Sequence, residues 1–134
     1  MTGVFVDSNV ILDVFEDDPR WVEWSESTLD QYSATGRLYI NSIVYAEVSI
    51  GFHRIEDLEA ALNGVDLRMV EIPKESLFLA GKAFMSYRQR GGARSSPLPD
   101  FFIGAHAAVA DLPLITRDVT RYQTYFPGVG LISP

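Results

Sequence analysis

Gly3-Val-Phe-Val-Asp-Ser-Asn-Val-Ile-Leu12 decides how the chain is read. The stretch is apolar apart from Asp7-Ser8-Asn9, and Asp7 is its only charge. A short buried strand over residues 4–6 would deliver Asp7 at its C-terminal end, the edge of a parallel sheet at which ligands bind. A carboxylate taken out of water without a partner costs free energy. Asp7 therefore needs a cation, a set of hydrogen-bond donors, or solvent at the sheet edge.

The pattern returns three times. Glu47 is the only charge in the apolar run of residues 38–52, and Asp100 is the only acid in residues 97–110. The short apolar run that begins at Leu112 ends in Thr116-Arg117-Asp118. Four carboxylates, each at or near the end of an apolar element, are the main functional signal.

The 134 residues make one domain, 1–134, long enough to bury about 70% of the unfolded surface. The absence of cysteine excludes a disulfide framework, a thiolate metal site and a cysteine nucleophile. No apolar run approaches the roughly 20 residues of a membrane span. The N-terminus lacks the basic and apolar regions of a secretory signal. A cytoplasmic protein is expected. Net charge is −7, unevenly spread: residues 1–73 carry 14 acids and 4 bases, and residues 74–134 carry 4 acids and 7 bases. An acidic protein is a poor non-specific ligand for nucleic acid, because phosphate affinity comes largely from Lys and Arg. The local basic strip is compatible with a phosphodiester substrate, and equally with a solvated basic face.

Strands are expected at residues 4–6, 38–40, 67–72, 114–115 and 129–132. Helices are expected from Ser8 to Phe15, from Asp18-Pro19 to about Thr35, from a cap at Ser42 to about Phe52, and from Ile55 to about Asn63. Three more are expected, from Lys74 to Gln89, from Asp100 to about Ala110, and from Asp118 to about Tyr125. Ile55, Leu58 and Leu62 should face inward on the fourth helix, and Leu77, Ala80, Phe84 and Tyr87 on the fifth. Alternating strands and helices imply βαβ crossovers and a mostly parallel sheet covered on both faces.

Asp7, Asp100 and Asp118 each sit where a helix begins, and each alone reads equally as an N-cap. Glu47 projects from an otherwise apolar helix face, between Ile43 and Ile50, which leaves a place at the core rim or an arginine pair as its structural alternatives. Clustered at one edge, the four would repel and raise some of their pKa values unless a cation sat among them. Mg²⁺ or Mn²⁺ suits hard carboxylate oxygens and could activate water against a phosphodiester. Asn9, beside Asp7, and Thr116, beside Asp118, could orient these acids or a water. Asp13, Asp17 and Asp18 read as a solvated helix end, and His106 as a packed or interfacial histidine. Neither a Ser/His/Asp triad nor a Gly-rich phosphate loop is present.

Val6-Asp-Ser-Asn-Val-Ile-Leu-Asp13, Tyr45-Ala-Glu-Val48, Leu98-Pro-Asp-Phe-Phe-Ile-Gly-Ala-His-Ala107 and Leu114-Ile-Thr-Arg-Asp118 resemble, in order and spacing, a PIN domain. The resemblance spans nearly the whole chain and is strongest to the small VapC-type toxins of bacterial and archaeal toxin–antitoxin pairs. It implies a three-layer α/β/α sandwich with a short, mostly parallel central sheet. It implies metal ligands at Asp7, Glu47, Asp100 and Asp118, with Asn9 and Thr116 as polar supports. It also implies Mg²⁺- or Mn²⁺-dependent cleavage of RNA, homodimers, and neutralisation by a small antitoxin. Arg88, Arg90, Arg94 and Arg117 are candidates for flanking phosphates. Trp21 and Trp24, with Phe15 near in sequence, could help form the antitoxin groove. Two alternatives remain: a PIN-like scaffold that binds RNA or protein without cutting, and a phospho-accepting receiver module. The latter lacks a late lysine, since the only lysines are Lys74 and Lys82.

Overall fold

β1 (Gly3–Val6) is the middle strand of the sheet. The computed structural model describes residues 2–95 and 98–134, so the stretch 90–99, which its Gly, Ser and Pro content marks as a loop, falls partly outside the described residues. After β1 come α1 (Ser8–Phe15), α2 (Val22–Ser33), β2 (Arg37–Ile40), α3 (Ser42–Ser49), α4 (Ile55–Gly64) and β3 (Leu67–Met69). The chain continues through α5 (Lys74–Gln89), α6 (Pro99–Ala110), β4 (Leu114–Ile115), α7 (Thr120–Tyr125) and β5 (Leu131–Ile132). These strands are all parallel and lie in the order β3-β2-β1-β4-β5.

That order places a topological switch between β1 and β4. The chain leaves β1 toward β2 on one side and returns to β4 on the other, so the loops after β1 and β4 part and leave a crevice at their carboxyl ends. Phe5 pairs with Leu114 and Val6 with Ile115, and the Asp7 N–H donates to the Ile115 carbonyl at 2.9 Å. Asp7 therefore stands at the mouth of the crevice.

Helices cover both faces, which is why the inner strands are apolar without alternation. Phe5, Val6, Ile40, Leu114 and Ile115 are all buried. Phe5 and Tyr39 point toward α6, where the His106 ring lies 4.5 Å from that of Phe5. Leu38 points the other way, toward Val14 of α1 and Leu29 of α2. The result is a three-layer α/β/α sandwich. Close approach of α6 to the segment after α7 depends on Gly104, because a Cβ there would run into the Phe126 ring.

Several local expectations shift. Asn41, not Ser42, caps α3: its Oδ1 accepts from the Ile43 and Val44 N–H groups at 3.0 and 3.1 Å. Asp18 caps a turn rather than the helix itself, accepting from Arg20 and Trp21, and α2 begins at Val22. The third strand ends at Met69 and the last helix starts at Thr120. Ile55 is 64% exposed and Leu77 46% exposed, so neither joins the core. On α5 the expected Ala80 is buried and Phe84 and Tyr87 pack partly against the core, with Ser76 and Ala83 joining them in place of Leu77.

Candidate active site

Asp7 is 4% exposed and caps α1, taking the Ser8 N–H on Oδ1 at 2.7 Å. Its Oδ2 accepts two hydroxyls, from Thr116 and Tyr122, each at 2.9 Å. Burial pushes the Asp7 carboxyl above its usual range, and these donors only partly offset that. One oxygen thus serves the helix while the other takes the two hydroxyls that fix the side chain at the sheet edge.

Glu47 reaches the same region from α3. Its Oε1 accepts the Ser8 hydroxyl at 3.0 Å, so Ser8 bridges the two acids through its backbone and its side chain. Glu47 is raised by burial, with further upward pushes from the charges of Asp7 and Asp100. Asp100 lies in the first turn of α6, where Leu98 rather than Asp100 is the cap residue. It is also raised, by burial first and by the Asp7 charge second; Arg121, 3.4 Å away, opposes this. Asp118 is exposed in the loop after β4, and its charge adds to the upward push on Asp100. Its backbone N–H donates to the Thr116 hydroxyl oxygen at 3.1 Å. Asp7, Glu47 and Asp100 therefore share one field, with Asp118 at its outer margin.

Asn9 and Thr116 hold the two sides of the crevice together. Asn9 Nδ2 donates to Thr116 Oγ1 at 3.4 Å, and the Arg117 N–H donates to Asn9 Oδ1 at 3.3 Å. His106 is 2% exposed and acts as a packed histidine. Because Asn41 Oδ1 is occupied by the α3 cap, Asn41 Nδ2 faces His106 Nδ1 at 3.2 Å and makes that nitrogen the acceptor. Burial lowers the His106 pKa, which keeps the ring neutral. This link ties the helix bearing Glu47 to the helix bearing Asp100.

Two expectations are corrected. Asp13 does not belong to a solvated helix end; it is 3% exposed. Arg117, expected at a phosphate, instead grips Asp13 with Nε at 2.6 Å and Nη2 at 2.9 Å, and Ser25 adds a hydroxyl at 2.7 Å. The Arg117 guanidinium also lies 4.9 Å from the Trp21 ring centroid. Trp21 thus covers an internal ion pair, and Trp24 packs partly against the core. Arg88, Arg90 and Arg94 are exposed. Arg88 donates to the Arg94 carbonyl at 2.7 Å, and Arg90 lies over the Tyr125 ring at 5.5 Å.

Tyr122 and Arg121 were not singled out from the sequence. A buried tyrosine in an aromatic tail carries the same sequence signal as an ordinary core residue, and only the fold turns its hydroxyl onto Asp7.

The donor set is all hard oxygen, which suits Mg²⁺ or Mn²⁺ in kind. Oδ2 of Asp7 accepts two hydroxyls, and Oδ1 accepts the Ser8 N–H at 2.7 Å with the Ser8 hydroxyl 3.4 Å away. Among the described residues no three acidic or imidazole groups stand close enough to hold an ion as placed. The structure thus supplies the ligand chemistry and the charge, and the side chains would have to draw in around a cation.

The PIN domain family matches residues 4–126, and the chain belongs to it. No curated protein sequence matches the chain. Its fold is that of several solved structures. A chain of VapBC2 from Rickettsia felis, bound to a promoter DNA fragment, is 18% identical over 97% of both chains, with a TM-score of 0.74. One of DNA-bound VapBC from Salmonella typhimurium is 17% identical over 99% of this chain and 98% of that one, at 0.73. A toxin–antitoxin complex from Klebsiella pneumoniae contains a chain 22% identical over 98% and 97%, at 0.68.

Proposed function

We propose that this protein is a divalent-metal-dependent endoribonuclease and the toxin of a toxin–antitoxin pair, of the VapC kind. The observation that carries the reading is the buried Asp7 at the switch point, sharing a field with Glu47 and Asp100. All three carboxyls are pushed upward, first by burial, and Glu47 and Asp100 further by the charges of neighbouring acids. The supporting comparisons are the family match and the VapBC and toxin–antitoxin complexes whose chains share the fold.

In this reading Asp7, Glu47 and Asp100 would hold Mg²⁺ or Mn²⁺, with Asp118 completing that site or helping a second. Such an ion, when bound, stabilises charge on a phosphodiester and makes water a better nucleophile. Thr116 and Tyr122 fix the plane of the Asp7 carboxylate. Ser8 sets the distance between Asp7 and Glu47. Arg121 neutralises part of the Asp100 charge and becomes available to a substrate phosphate once a cation takes over that task. Asn9 and Thr116 keep the loop carrying Asp118 against α1. Arg88, Arg90 and Arg94, all exposed, would meet flanking phosphates.

A receiver module is disfavoured by topology as well as by its missing lysine. Receivers use the order 2-1-3-4-5, whereas here β2 and β4 flank β1. No feature of the crevice favours a scaffold that binds without cutting.

The partners in this reading are RNA, a small antitoxin and a second copy of the chain. An apolar groove of about 590 Å³ lined by residues including Ile43, Met69, Leu77 and Phe102 supports an interface on that face. No helix among the described residues is long and apolar enough to cross a membrane. A cytoplasmic setting, where RNA is the substrate at hand, goes with the proposal. The test is incubation of the purified protein with total RNA. Cleavage should require Mg²⁺ or Mn²⁺, stop with EDTA and return when metal is resupplied; intact RNA under all these conditions contradicts the reading.

A further inference from the structure

Next to the acids lies a cavity of about 370 Å³, lined by Tyr87, Asp118, Thr120, Arg121, Thr124 and Tyr125. Its size is at the small end of ligand pockets, which run from about 300 to 1,000 Å³. Two residues join it to the acid cluster. Asp118 is part of its wall, and Arg121 pairs with Asp100 at 3.4 Å.

The remaining lining has a different character. The Tyr87 and Tyr125 rings meet edge-on, with centroids 6.3 Å apart and planes at 66°. Both also pack against the buried Phe101, at 5.6 and 5.3 Å, which fixes their orientation. Planar cations lie over them, the Arg90 guanidinium 5.5 Å from the Tyr125 centroid and that of Arg121 6.0 Å from Tyr87, and the Phe84 ring stacks on Tyr87 at 6.1 Å. Thr120 and Thr124 are exposed, and the Thr124 hydroxyl donates to the Thr120 carbonyl at 2.9 Å.

Held aromatic rings, guanidinium planes and hydroxyls in one recess are what an unstacked nucleobase uses: π-faces to stack on, hydrogen-bonding groups for its edge, and arginines for its phosphates. A simple anion would leave the rings unused and meet Asp118. An apolar ligand would leave Asp118 and Arg121 unmatched. We propose that this cavity is a nucleotide subsite. It takes one unpaired base of an RNA strand in the place over Tyr87 and Tyr125 that the two guanidiniums occupy, with Arg121 and Arg90 turning onto the adjoining phosphates. It thereby selects which nucleotide lies beside the phosphodiester presented to the acids. The inference rests on the nuclease reading and adds to it a site for substrate selection.

Thr124→Trp tests it, because this position is exposed and the added indole would fill the cavity without removing a core contact. The measurement uses the Asp7→Asn background, so that RNA is not cut. Its probe is a single-stranded RNA decamer carrying 2-aminopurine moved through each position, with Mg²⁺ present. One position should be quenched on binding, and an abasic decamer at that position should bind at least tenfold more weakly. Thr124→Trp should weaken the intact decamer at least tenfold and leave the abasic one unaffected. Equal affinity of the intact decamer with and without the tryptophan overturns the subsite. If RNA is cut by the unmodified protein while the tryptophan has no effect, the subsite fails and the nuclease reading stands. If the base is bound in the cavity but no RNA is ever cut, the nuclease reading fails and the subsite stands. A protein that binds no RNA overturns both.

Discussion

Tyr122 donates its hydroxyl proton to Asp7 Oδ2 at 2.9 Å, across 115 positions of sequence. Burial and the charges of Asp7, Asp100 and Glu47 push the tyrosine pKa far upward, so the phenol remains a donor. Tyr122→Phe keeps the ring and removes the donor. A hydrogen bond to a charged group is worth about 1.5–3 kcal/mol, and the loss should fall in that range by urea unfolding. Cleavage should also slow, because Asp7 loses one of the two hydroxyls that orient it. Wild-type stability and rate in the phenylalanine variant would show that the contact does no work.

The Asp13–Arg117 pair predicts an asymmetry. Arg117→Ala leaves a carboxylate buried with only the Ser25 hydroxyl, whereas Asp13→Ala leaves a guanidinium that is one-quarter exposed. Breaking a buried pair from one side costs about 3–5 kcal/mol, and Arg117→Ala should lie nearer the upper end than Asp13→Ala. Arg117→Lys should not rescue, because an ammonium cannot reproduce the two-pronged contact. Thermal unfolding of the three variants checks the order.

The acid cluster predicts a pH effect of definite sign. The folded pKa of Asp100 is raised, so its contribution to stability is fully present below the unfolded value and is lost as pH rises through the folded value. Asp100→Asn, which does not titrate, should therefore gain stability relative to wild type as pH climbs from about 4 toward neutrality. Unfolding in EDTA at a series of pH values measures the difference. A difference that stays flat or shrinks contradicts the upward shift of Asp100.

A cation that binds only the folded protein stabilises it by mass action, by about 2.7 kcal/mol at a concentration 100 times its dissociation constant. Mn²⁺ should accordingly raise the melting temperature of the wild type and have little effect on Asp7→Asn/Asp100→Asn. Equal shifts in both proteins would place the ion elsewhere.

How much was legible follows from where each signal lies. Asp7, Glu47 and Asp100 stood out because each is a lone charge or acid in an apolar element, and that contrast is visible without a fold. The alternation of strands and helices likewise gave the parallel sheet and most element boundaries. Asp13 was misread because three acids in a short stretch look solvated, and its partner lies 104 positions away. Arg117 was misread for the same reason: a basic side chain beside an acidic motif suggests phosphate until the sheet brings Asp13 to it. Asn41 and Ser42 are adjacent capping residues, and only the backbone turn and the His106 contact choose between them. Asp118 is expected among the acids and lies near them, but it is exposed and also walls the neighbouring cavity.

The most direct test of the central claim is single-turnover cleavage of an RNA substrate in Mg²⁺ by the wild type and by Asp7→Asn/Asp100→Asn, with circular dichroism confirming that both are folded. The acid-cluster account predicts cleavage by the wild type and none by the double variant. Cleavage by the folded double variant at the wild-type rate would contradict it.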